Sequence, residues 1–175
     1  MITLFEKFEN KPDVNSLSKE FWKMVRLANW AEVVKVYKEN NYSENRKVDD
    51  AWEEAKIRIY LKYEYEEVWK FDIEYHTFYM KLYDYFQPIW LDKKYKKIMP
   101  GDDGFSDLLS TIIGMGKTFT KMCIEDPDKF IEVAKKDNYI ENFGYLLQVN
   151  EDEYWKLIQN CDPNNLRLAA KKYNV

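Results

Sequence analysis

Six apolar or aromatic residues recur at alternating spacings of three and four in the middle of the 175-residue chain: Val68, Phe71, Tyr75, Phe78, Leu82 and Tyr85. Residues at this spacing lie along one face of an α-helix, because the helix has 3.6 residues per turn. The every-second-residue alternation that indicates a strand does not occur here. The pattern therefore predicts a central core helix of about five turns.

Capping residues and prolines mark the boundaries of the other predicted helices. Ser16 or Ser18 can cap the first of them, and a later helix is expected to begin near Asp49. Pro88 lacks an N–H, so we expect it to interrupt the central helix and to precede a short helix over residues 89–98. Asp126-Pro127 has the N-cap acid and first-turn proline of a helix start, and residues 162–163 repeat it.

These patterns predict an all-α fold, a single-domain irregular bundle of about seven to nine helices. A chain of 175 residues is long enough to bury a core without disulfides or metals. Residues 1–15, which contain Pro12, are expected to form a loosely ordered N-terminal arm. The helical domain would then cover residues 16–175.

The charge distribution argues against nucleic-acid binding, which needs a basic surface. The net charge is −4, and the one basic run, residues 93–97, is typical of a solvated helix face. Nine acids against four bases fall between positions 49 and 74. An acidic face with aromatic residues can attract a basic protein. The candidate partner-binding residues are Glu53, Glu54, Glu64, Glu66 and Glu67.

Four of the five glycines lie in one stretch, residues 99–117, which we call the joint. Asp102 or Asp103 is expected to cap a helix over 105–113, and the alternatives are carboxylates of a small-ligand site or of a metal site. A calcium loop would need more ligands and a closing glutamate. The candidate pocket consists of Asp102, Asp103, Phe105, Trp90 and Tyr145.

The segment 114–118 ends in Gly-Lys-Thr, as a phosphate-binding loop does. Its first glycine would have to stand at position 111, which is Thr111, and the preceding residues have a helical pattern. We therefore expect a helix that ends at a glycine and is followed by another helix.

The run Asp102-Asp103-Gly104-Phe105, an apolar helix, a later glycine and Asp126-Pro127 resemble a bacterial domain-of-unknown-function family, number 4240. Gly101 takes the place of that family's usual Ser. The resemblance covers roughly residues 18–150 and includes three further matches: residues 21–22, Trp90 and residues 143–145. It implies a helical domain and carries no assigned reaction or cofactor.

Signatures of catalysis, metal binding and membrane association are weak in this sequence. His76 is the only histidine, so a zinc site of the usual kind is not expected, and we interpret it as a structural residue. Cys123 and Cys161 are expected to be reduced structural thiols. No window is long and apolar enough to span a membrane, and the N-terminus does not resemble a signal peptide. We expect a cytoplasmic protein without a cofactor.

Two functional hypotheses follow from these features. The first is a protein-binding module, for example an immunity protein that neutralises a basic toxin such as a nuclease. The second is a small-ligand-binding or enzymatic domain with its pocket at the joint. The acidic residues favour the first, and a solvated helix face remains the simplest alternative reading of them.

Overall fold

A computed structural model describes residues 11–39, 46–135, 143, 152 and 155, and for residues 46–50 and 52 it describes the backbone alone. The described part of the chain is helical and contains no strand, which confirms the predicted all-α class. Within residues 11–39 and 46–135, a 3-10 turn at Val14–Ser16 is followed by seven α-helices: α1 (Lys19–Ala28), α2 (Trp30–Glu39), α3 (Arg46–Tyr60), α4 (Tyr65–Trp90), α5 (Asp102–Gly114), α6 (Lys117–Glu125) and α7 (Pro127–Lys135). Buried side chains from all seven belong to one hydrophobic cluster.

Helix α4 is the predicted central helix. All six residues of its predicted stripe are buried, and Phe86 and Ile89 extend that face toward the C-terminal end. The buried face contacts α1, α3 and α5. Each fully buried large apolar side chain contributes about 1.5–3 kcal/mol, so this one face supplies a large share of the driving force for folding.

The prediction that Pro88 interrupts the central helix is wrong, because α4 continues through Pro88 to Trp90. A proline costs one backbone hydrogen bond, and here only the last turn of the helix is affected. The Leu91 N–H still donates to the Gln87 carbonyl at 2.9 Å. The short helix expected over 89–98 is also wrong: the chain after α4 forms turns, in which the Tyr95 carbonyl accepts from two later N–H groups.

The start of α1 is fixed to the middle of α4 by hydrogen bonds. Ser18 is the N-cap, as one of the two expected residues, and its Oγ accepts from the Phe21 N–H at 3.0 Å. The same hydroxyl donates to Glu74 Oε2 at 2.8 Å. The expected N-terminal arm lies mostly outside the described residues, but at its end Val14 is buried and its carbonyl accepts from Trp22 Nε1 at 3.0 Å.

Two other predicted boundaries move by a few residues. Helix α3 begins at Arg46 rather than near Asp49. Gly101, and neither Asp102 nor Asp103, is the N-cap of α5, so the predicted side-chain cap is wrong. The two aspartates occupy the first turn, where negative charge still interacts favourably with the helix dipole.

The remaining boundaries of the joint follow the sequence. Helix α5 ends at Gly114, and α6 begins after Gly116, whose φ of 97° favours glycine. Asp126 precedes α7, and its Oδ1 accepts from the Asp128 N–H at 3.1 Å, which confirms the predicted Asp-Pro helix start. The boundary predicted at residues 162–163 lies outside the described residues.

Candidate functional site

The predicted acidic residues fall into two groups on successive helices. Glu53 and Glu54 lie on α3, where Glu53 is exposed and Glu54 Oε2 is 3.8 Å from Arg58 Nη1. The Arg58 guanidinium also donates to the carbonyls of Leu27 and Ala28, at 3.0 and 2.7 Å. Glu54 therefore helps to orient an arginine that joins α3 to the end of α1.

Glu64, Glu66 and Glu67 are exposed residues at the N-terminal end of α4. Glu64 is the N-cap, and a carboxylate oxygen of Glu67 accepts from the Glu64 N–H at 3.0 Å. Acids in a first turn interact favourably with the helix dipole. Within this group, Glu67 has a capping role that Glu66 does not share.

A feature that the sequence reasoning missed lies on the solvent side of α4. Trp69, Ile73 and Met80 are 55%, 46% and 54% exposed, and exposed apolar side chains are informative when they are grouped. Their spacings of four and seven place them on one face of the helix, opposite the buried stripe. We call these three residues the outer stripe. A helical pattern with two apolar faces was the signal that could have revealed it.

His76 lies on α4 between Ile73 and Met80 and is exposed. Its Nδ1 is 3.1 Å from Asp72 Oδ1 and 3.0 Å from the Asp72 carbonyl oxygen. Partial burial raises the pKa of Asp72, and the interactions with His76 oppose that change. Both of these Asp72 oxygens belong to the preceding turn of the same helix.

A cavity of about 250 Å³ opens between α1 and α4, next to Glu64, Glu66 and Glu67, which we call the acidic turn. Phe21, Met24 and Phe71 form its apolar part, and the rings of Phe21 and Phe71 stack at 4.5 Å. Its polar lining is Ser18, Glu20, Glu67, Lys70 and Glu74. Carboxylates around an apolar floor suit the long stem and charged end of a basic side chain.

The residues of the candidate pocket at the joint have different surroundings. Asp102 and Asp103 are exposed. The rings of Trp90 and Phe105 stack on each other at 4.8 Å, and Trp90 Nε1 donates to the Pro100 carbonyl at 2.9 Å. Tyr145 lies outside the described residues. The two rings thus pack against each other instead of facing each other across a cleft.

The described residues give little support for a metal site or a reactive thiol. No group of three or more His, Cys, Asp or Glu side chains converges among them. Burial raises the pKa of Cys123 to about 12, so its thiol is protonated at neutral pH. None of the described helices combines the length and the hydrophobicity that a membrane span needs.

Comparisons with known proteins do not extend this description. No protein-family model matches the sequence, and no curated protein or solved structure is significantly similar to it. The resemblance to family 4240 stays a prediction that depends on the residues around the joint.

Proposed function

We propose that this chain is a protein-binding module, and that a basic protein docks on the outer face of α4. The observation that carries the proposal is the outer stripe, Trp69, Ile73 and Met80, which begins one turn after the exposed acids of the α4 N-terminus. Interfaces combine apolar anchors, often tryptophan, with a polar rim. Trp69 supplies the anchor and Glu66 a charge beside it.

The sign of the charge favours a basic partner over other proteins. Glu53 on α3 and the exposed acids at the start of α4 attract a cationic surface from a distance, which speeds association at low salt. The cavity between α1 and α4 adds a place for one basic side chain beside Glu67. A cytoplasmic immunity protein that neutralises a basic toxin is the role that we propose within this class.

The joint is the weaker candidate for the functional site. The stacking of Trp90 on Phe105 leaves the proposed walls in contact with each other. The exposed carboxylates of Asp102 and Asp103 are accounted for by the first turn of α5. The outer stripe has no comparable structural explanation among the described residues.

The test is an affinity capture from the source organism's lysate at low and high salt, with the wild-type chain and three single variants as bait. Trp69→Ser and Met80→Ser should each lose a stoichiometric basic partner that the wild type retains. Met122→Ser is the matched control, because Met122 is an exposed methionine on α6 and is not part of the outer stripe. Equal capture by all the baits would contradict the proposal.

A kinetic measurement then separates the electrostatic contribution to binding from that of the apolar contacts. Glu66→Lys should slow association with the captured partner by about tenfold at low salt and much less at high salt. Glu66 is the better choice than Glu67, because a change at Glu67 also removes a cap of α4. An association rate that does not depend on salt would overturn the assignment of a basic partner.

A further inference from the structure

A second cavity, of about 300 Å³, lies on another part of the molecule, where α2, α5, α6 and α7 meet. Its walls are mostly apolar: Val34, Met115, Phe119, Met122 and Val133. Met115 and Met122 are 37% and 38% exposed, so both residues of the cavity wall are accessible to solvent. Small-molecule sites have this combination of concave shape and apolar lining, and methionine side chains adapt to ligands of varied shape.

The two lysines of the cavity wall, Lys38 and Lys129, differ in whether they pair with a carboxylate among the described residues. Lys129 Nζ donates to Glu132 Oε2 at 3.0 Å, so these two charges balance each other within α7. Lys38, near the end of α2, forms no ion pair with any residue in the described part of the chain. An apolar cavity whose wall carries an ammonium without a carboxylate partner among the described residues favours an anionic ligand with an apolar body.

We propose that this cavity binds a small aliphatic carboxylic acid, whose chain lies among Met115, Phe119 and Met122 and whose carboxylate pairs with Lys38. The volume of the cavity suits a ligand of this size. A cavity of about 300 Å³ holds on the order of ten waters, and octanoate, which would displace them, has about ten non-hydrogen atoms. The outer stripe and the acidic turn are not part of this site. The inference is therefore independent of the proposed protein-binding function.

The test uses the full chain, labelled with ¹³C at the methionine methyl groups and titrated with octanoate. The methyl signals of Met115 and Met122 should shift and saturate together, while Met80 on α4 stays unchanged. Octylamine, which has the same chain with the opposite charge, should bind about tenfold more weakly than octanoate. Equal shifts at Met80 would mean non-specific adsorption and would overturn the proposal, as would the absence of any shift at millimolar octanoate.

Two lysine variants test the role of charge. Lys38→Gln should weaken octanoate binding by about tenfold and leave octanol binding unchanged. Lys35→Gln is the matched control, because Lys35 lies on the same helix, pairs with Glu32 at 3.3 Å and is not in the cavity wall. The proposal is wrong if both variants bind octanoate as tightly as the wild type.

A third variant keeps the test decisive if Lys38→Gln alters the fold. Val133→Phe enlarges a half-buried side chain of the cavity wall without a change of charge. It should block octanoate and octanol alike, with a wild-type circular dichroism spectrum. Undiminished binding to this variant would place the ligand elsewhere.

Discussion

At the scale of single residues, the positions that tolerate least change are those where two elements touch without a gap. Gly114 is the clearest case, because a Cβ built there would lie 2.6 Å from Trp30 Cδ1 and 2.9 Å from Phe143 Cδ2. The sequence indicated a glycine at a helix end here. It could not indicate that the reason is contact with a tryptophan eighty-four positions earlier, since no local pattern encodes a tertiary neighbour.

Gly114→Ala should therefore destabilise the protein, although alanine is the better helix former by about 1 kcal/mol. Overpacking against Trp30 and Phe143 costs about 1–3 kcal/mol and should outweigh that gain. Gly101→Ser is the contrasting control, because nothing lies within 4 Å of a Cβ built at this position. A serine at this N-cap should raise the free energy of unfolding by a few tenths of a kcal/mol. Urea unfolding measures both changes. A stabilised Gly114→Ala variant would contradict the close contact.

At the scale of elements, the spacing of apolar residues correctly predicted the buried face of α4, whereas the predicted end of the helix was wrong. The spacing of Val68 to Tyr85 reports which side of a helix is buried, and every one of those residues is buried. The rule that proline interrupts a helix failed at Pro88, which lies in the last turn of α4 and bears one missing hydrogen bond without ending the helix before Trp90. The outer stripe was not predicted, because a sequence with two apolar helix faces does not show which of the two faces is buried.

The acids of the first turn of α4 give a prediction at this scale. Glu67→Ala removes the acceptor of the Glu64 N–H and should cost about 0.5–2 kcal/mol. Glu66→Ala, its neighbour in the same turn, removes only a favourable interaction with the helix dipole, about 0.3–1 kcal/mol. Chemical denaturation of the two variants in parallel compares them. An equal loss of unfolding free energy in the two variants would show that the charge of each glutamate, and not the cap formed by Glu67, stabilises the helix.

At the scale of the whole molecule, one hydrophobic cluster includes residues from every described helix, from Val14 to Phe143. Aromatic rings connect its parts: Phe86 stacks on Phe130 at 4.0 Å, and Phe21 on Phe71 at 4.5 Å. Which rings pair could not be predicted, because pairing depends on how helices far apart in the chain meet.

Cys123 allows the opening of this core to be measured. The side chain is fully buried, and burial raises the pKa of its thiol to about 12. The native state should therefore react with iodoacetamide several orders of magnitude more slowly than the unfolded chain. Alkylation of a Cys161→Ser variant, followed by mass spectrometry over increasing urea, should follow the unfolding transition. Rapid alkylation without urea would show that α6 opens locally.

The position of α4 between the core and the outer stripe has a further consequence. The helix has 26 residues, and its two apolar faces are separated only by its own backbone, so a molecule held on the outside lies one helix diameter from the core. Binding to the native state alone adds its free energy to the stability of that state. Amide hydrogens of α4 should then exchange with solvent more slowly in the complex, including those beside Phe78 and Leu82, which the partner never touches.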